Sequence, residues 1–145
     1  MGDEYDFEKL AREIVTSRLM ALDSPAEAAA EIAKKIIVTG VTSTKVRQDP
    51  RLTVLGVCRG VMSGMLLINK ELPEAAAGIL RVMPAIAHDV HLDPQELMTW
   101  GMEGIASVAL MAGQEVRYHV QQRIEESFMG AGPVFQQLCQ NLAGK

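Results

Sequence analysis

At 145 residues the chain has the length of one domain and enough material for a sizeable core. Hydrophobic residues make up 48% of it and aromatics only 4%, so that core must come from Ala, Val, Ile, Leu and nine Met; good helix formers dominate, which predicts an all-α fold. The net charge of −4, with no block of like charge, argues against a nucleic-acid protein, which carries a basic face.

The segment from Met1 to Asp6 is acidic and has neither the basic start nor the apolar run of a secretory signal. Gly2 lacks the Ser or Thr that a myristoylation signal places where Asp6 stands. From Asp6 to about Leu22, Phe7, Leu10, Ala11, Ile14 and Val15 recur at helical spacing, with Glu8, Lys9, Arg12 and Glu13 on the other face. Ser24-Pro25-Ala26-Glu27 reads as a helix start, with a capping Ser, Pro at the first position and an acid three after the cap. That helix buries Ala29, Ile32, Ala33, Ile36 and Ile37, and Gly40 is placed to end it as a left-handed cap. Val41 to Gln48 is a hydroxyl-rich linker. Gly40 through Lys45 has some character of a phosphate loop, but the second Gly and the Lys-Ser/Thr pair are missing and no strand precedes it.

Asp49-Pro50 opens the stretch of greatest interest, an apolar helix to Leu72 that carries Gly56, Gly60 and Gly64 four residues apart. Each Gly costs roughly 1 kcal/mol against Ala in a helix interior, so a stripe of three implies close approach by another backbone. On a helical projection the stripe lies beside Thr53, Arg59, Ser63 and Lys70, opposite the broad apolar face. The run from Leu52 to Ile68 is interrupted by Arg59 and falls short of a membrane span.

Leu72-Pro73-Glu74 marks a restart, and Pro84 must kink or end the helix that follows. Asp93-Pro94 is a third cap-plus-proline start, opening a periodic stretch to about Met129 that is apolar all round as far as Gly113 and amphipathic beyond it. Gly130-Ala131-Gly132-Pro133 ends that stretch, and a last helix runs to about Leu142. An offset of 44 residues lays Asp49-Pro50 on Asp93-Pro94, Gly60 on Gly104, Ser63 on Ser107 and Arg59 on Glu103. A period of this size belongs to two-helix repeat units.

Chemistry-bearing residues are sparse. His88 and His91, with Asp89 and Asp93 nearby, have the residue types of a metal site, but histidines at a helix C-terminus also suit the last carbonyls and the dipole. Glu115, His119, Gln122 and Glu126 share one stripe, without the Glu-x-x-His pairs of a di-iron bundle. Cys58 and Cys139 sit in apolar runs and read as buried thiols of a reducing compartment. Arg59 and Glu103 are expected to pair across a helix contact. Met62, Met65, Met98, Met102 and Met111 either fill gaps beside glycines or line a pliable apolar pocket.

The sequence therefore predicts a single all-helical domain, 1–145: an irregular bundle of five to six helices around two central Gly/Met-rich helices, or alternatively a two- or three-unit helical-hairpin repeat of HEAT type. The expected function is a non-catalytic, cytoplasmic interaction or regulatory module that forms a homodimer through close packing at Gly56, Gly60, Gly64, Ser63, Gly104 and Ser107. The alternative is a carrier of a small hydrophobic ligand held by the methionines. No cofactor, nucleic-acid partner or membrane span is expected, and the sequence names no ligand. A metal enzyme using His88, His91, His119 or Glu115 is the remaining option.

Overall fold

The computed structural model describes residues 6–43 and 48–144, all helix and turn with no strand among them. Gly2 and the acidic start, and Thr44, Lys45 and Arg47 of the linker, lie outside the described residues. Eight helices follow in order: α1 (Phe7–Arg18), α2 (Ala26–Thr42), α3 (Pro50–Ile68), α4 (Leu72–Arg81), α5 (Met83–Val90), α6 (Pro94–Ala112), α7 (Gln114–Ser127) and α8 (Ala131–Ala143). The count exceeds five to six because two expected helices are divided. Pro84, in the first turn of α5, cannot continue α4, and Gly113 (φ 103°) breaks the stretch from Gln95 to Met129 where its character changes.

Three helices begin on an aspartate that caps a free backbone N–H. Asp6 accepts from Lys9, Asp49 from Arg51 and Asp93 from Gln95, at 2.8–2.9 Å. The expected Ser24 cap does not form. The N–H of Ala26 instead donates to the Glu71 carboxylate at 3.0 Å, from 45 residues away. The neighbouring Lys70 ammonium donates to the Met20 and Leu22 carbonyls at 2.5 and 2.6 Å. One dipeptide thus satisfies both sides of the α1–α2 corner with the charge each helix end favours. Gly40 is not a cap either. It lies within α2, where a methyl group would fall 2.8 Å from the Phe7 ring; the small residue there makes room for an aromatic.

The helices lie in two rows. In one, α1 packs on α3, α3 on α6, and α6 on α8; in the other, α2 packs on α4 and α4 on α7. Contacts run in step. Glu8 meets Gly56 and Gly60 while Val15 meets Gly64, and Arg51 reaches Glu103 while Arg59 reaches Ser107. Neighbours α1, α3 and α6 are therefore parallel. One hydrophobic cluster links the rows, from Phe7 to Cys139. Ile37, Met62, Ile79, Leu80, Ile105 and Phe135 are among its fully buried side chains, each worth about 1.5–3 kcal/mol of burial. By length and composition α3 could cross a membrane, yet half of its apolar window is buried within the fold.

Candidate functional site

The glycine stripe is a seam between helices of this chain. A methyl at Gly60 would fall on the Glu8 carbonyl oxygen and 2.9 Å from Ala11 Cβ; one at Gly64 would lie 2.7 Å from Val15. Gly56 is looser, with Glu8 3.8 Å away. The backbone that approaches the stripe belongs to α1 of the same chain. The side of α3 that looks polar on a projection is a second buried face, with Thr53 1% exposed and Gly60 and Gly64 buried. Gly104 makes the corresponding close approach one helix further on, where a methyl would meet the Leu55 carbonyl at 2.7 Å and the Arg59 nitrogen at 3.1 Å.

Arg59 and Glu103 do not pair with each other. Arg59 donates from Nε to Ser107 Oγ at 3.1 Å and from Nη1 to the Glu8 carboxylate at 3.3 Å, while Glu103 takes Arg51 at 2.8 Å. The backbones of Arg59 and Gly104 are adjacent, yet the Arg59 side chain reaches Ser107 and Glu8 while Glu103 is taken by Arg51, so the two charges go to different partners. Ser107 also donates to the Gly104 carbonyl at 2.8 Å, and Ser63 is half-buried on α3. The result is a polar seam across α1, α3 and α6 in which every charge has a protein partner.

The methionines divide. Met62, Met65 and Met102 are buried in the core, Met98 is half-buried, and Met111 projects into solvent at the end of α6. Met65 lines a groove of about 250 Å³ at the α3–α4 corner, together with Lys70, Glu71, Val116 and His119. Met111 is separated from the buried three, so the five do not share one pocket.

The histidines are solvent-exposed. His91 (φ 57°) is the left-handed C-cap of α5 and His88 stands in its last turn, while His119 lies edge-on to Tyr118 at 5.8 Å. Among the described residues no three His, Cys, Asp or Glu side chains converge as a metal site would need. Glu115 and His119 remain exposed on α7; Gln122 donates to the Tyr118 hydroxyl at 2.7 Å, and Glu126 sits 3.5 Å from Arg123. Both thiols are free and buried. Complete burial pushes Cys58 up to about 12. Burial also raises Cys139, against the opposing pull of the Arg117 charge. Neither has the lowered pKa of a nucleophile.

Two surface features were not legible in advance, because each depends on which helices become neighbours. The first is a rim of exposed apolar side chains: Met20 (59%), Leu22 (41%), Leu67 (68%) and Met111 (70%). These residues lie at or just beyond the C-terminal ends of α1, α3 and α6, and since those helices are parallel the residues share one end of the row. The second is an open groove of about 670 Å³ between α7 and α8, lined by Gln114, Gln121, Gln136 and Gln140 with Glu115, Arg117 and Cys139 among its other residues. Comparison of the chain with known protein families, with characterised proteins and with solved structures gave no match.

Proposed function

We propose that the chain is a non-catalytic helical interaction module that self-associates. The observation that carries this reading is the exposure of Met20, Leu22, Leu67 and Met111 at or just beyond the C-terminal ends of three parallel helices, four of the eight large apolar side chains exposed among the described residues. Exposed apolar side chains gathered on one edge mark a surface that is covered in use, whereas scattered ones need no explanation. An interface through Gly56, Gly60 and Gly64 is not part of the proposal, since α1 already occupies that seam. A cytoplasmic setting suits two free, buried thiols.

We read α1–α2, α3–α4–α5 and α6–α7 as three hairpin units of one array, with α3 and α6 the pair around which it is organised. In support, α3 and α6 each have 19 residues and begin on Asp-Pro, their bounds coincide under the 44-residue offset, and a sparse set of residues matches under it, among them Gly60 with Gly104 and Ser63 with Ser107. Arrays of this kind commonly serve as extended interaction surfaces. The test is light scattering at tens of micromolar. A dimer is expected for the native chain, and a monomer for Leu67→Glu/Met111→Glu, with unchanged helical content by circular dichroism because both side chains point to solvent. A native chain that is already monomeric sinks self-association. A dimer that survives both charges sinks the rim as its interface.

A further inference from the structure

One residue joins α6 to α7. Gly113 stands between them at φ 103° and ψ 164°, a backbone region open essentially to glycine alone. Nothing lies within 4 Å of where a methyl group at Gly113 would stand, so the corner is held by that one backbone conformation and not by packing around it. On a straight helix the apolar residues Ile105, Val108, Ala109, Val116 and Val120 would share about 120° of arc. The apolar stripe of α6 thus continues into α7 without a change of register, and only Gly113 breaks the helix.

Beyond that corner, α7 and α8 are tied to each other. The Glu125 carboxylate accepts from the Gly130 and Gly132 N–H groups at 3.0 and 2.8 Å, and the side-chain bonds of Gln122 to Tyr118 and of Gln137 to Asn141 also stay inside the pair. Among the described residues no side-chain hydrogen bond or ion pair joins α7 or α8 to the other six helices. The α1–α2 hairpin is different, since Glu71, Lys70 and Arg59 all hold it from elsewhere in the chain. What seats α7 on α4 and α8 on α6 is apolar burial, chiefly of Val120, Ile124, Phe135 and Cys139. The same surfaces of a second copy would serve equally well, and a short, conformationally demanding hinge invites such an exchange. We propose that Gly113 is the hinge of a reciprocal exchange: α6 and α7 straighten into one helix of about 50 Å, and α7–α8 of each copy docks on α4 and α6 of the other. This does not rest on the apolar rim, because the exchanged dimer is held by the contacts that close the monomer.

Gly113→Ala separates the two shapes. Alanine favours the continuous helix and is strained at φ 103°, and its methyl meets no neighbour that could blur the result. The experiment uses the full chain carrying Leu67→Glu/Met111→Glu, so that the rim contributes nothing, refolded at hundreds of micromolar and resolved by size exclusion. Adding Gly113→Ala is expected to raise the ratio of dimer to monomer roughly tenfold or more. When labelled and unlabelled copies are refolded together, isotope-filtered NOEs between α7 and α4 should run from one copy to the other. Three glycines inserted after Gly113 let the chain turn without that one backbone conformation, and should lower the ratio below that of the uninserted chain. An unchanged ratio with Gly113→Ala overturns the proposal. So does a dimer whose α7–α4 NOEs stay within one copy, the pattern that association through the rim would give. If Gly113→Ala does not fold, the insertion decides: a lowered ratio supports the exchange, and equal ratios overturn it.

Discussion

At the scale of single residues, the two glycines Gly56 and Gly60 make a controlled pair. Both are helical, on the same stripe and the same helix, so Ala at either gains the same intrinsic propensity, roughly 1 kcal/mol. The surroundings differ. A methyl at Gly56 sits in ordinary van der Waals contact with Glu8, 3.8 Å away, whereas at Gly60 it overlaps the Glu8 carbonyl and lies 2.9 Å from Ala11 Cβ. A backbone oxygen cannot swing aside as a side chain can, so relief requires α1 to move as a body, and overpacking of this kind typically costs about 1–3 kcal/mol. Gly56→Ala is therefore expected to raise stability by up to about 1 kcal/mol, and Gly60→Ala to lower it by about 2 kcal/mol. Urea unfolding of the two variants beside the native chain measures both. Equal shifts of the same sign would mean that α1 does not bear on the stripe.

At the scale of elements, the ends of helices were more legible than their partners. Asp49 and Asp93, read from the sequence as caps, cap within three residues, which is local chemistry and needs nothing from the fold; Asp6 caps α1 the same way without having been read as a cap. Ser24 looks as good on paper, yet Glu71 does its work from across the chain, because the α3–α4 turn lies against the α1–α2 corner. The glycine stripe announced a close backbone approach but could not say whose, since α1 and α6 press on different sides of α3. The 44-residue alignment places Arg59 and Glu103 opposite each other, but it cannot show that Arg51, Ser107 and Glu8 also come within reach, and these are the partners the two side chains take. The Glu125 carboxylate is a further long-reach cap. It accepts from the Gly130 N–H at 3.0 Å and from Gly132 at 2.8 Å, holding the entry to α8 against the end of α7. Those two backbone bonds, Gly130 first, keep its pKa below the ordinary glutamate value. A carboxylate whose folded pKa is lowered contributes stability that is present above its unfolded pKa and lost as the pH falls through the folded one. Glu125→Gln, which removes the charge, should therefore be less stable than the native chain at neutral pH. The gap should close on acidification below the ordinary glutamate range. Thermal unfolding of both proteins across a pH series reads this, and a gap that stays constant into acid would show that the charge contributes nothing.

At the scale of the whole molecule, two rows of stacked helices make stability depend on position. In the proposed array each unit touches only its neighbours, so the free energy of opening a helix follows from how many sides of it are covered. The helix α3 is covered by α1, α2, α4 and α6, and its side chains Val54, Val57, Cys58, Val61, Met62 and Met65 are fully buried. At one end of its row α1 rests on α3 and α2 alone, and at the other α8 rests on α6 and α7. Opening α1 breaks the seam at Gly60 and the Arg59–Glu8 contact but leaves the α3–α6 packing in place; opening α3 must undo both sides. Native-state hydrogen exchange over a range of denaturant should accordingly find the slowest amides in α3 and α6, exchanging only with global unfolding. Those of α1 and α8 should open at lower free energy and with a smaller dependence on denaturant, because less surface is exposed. If α1 or α8 exchanged at the same free energy as α3, the two rows would be a single cooperative block. The stacked-hairpin reading would then lose its energetic meaning even though the geometry remained.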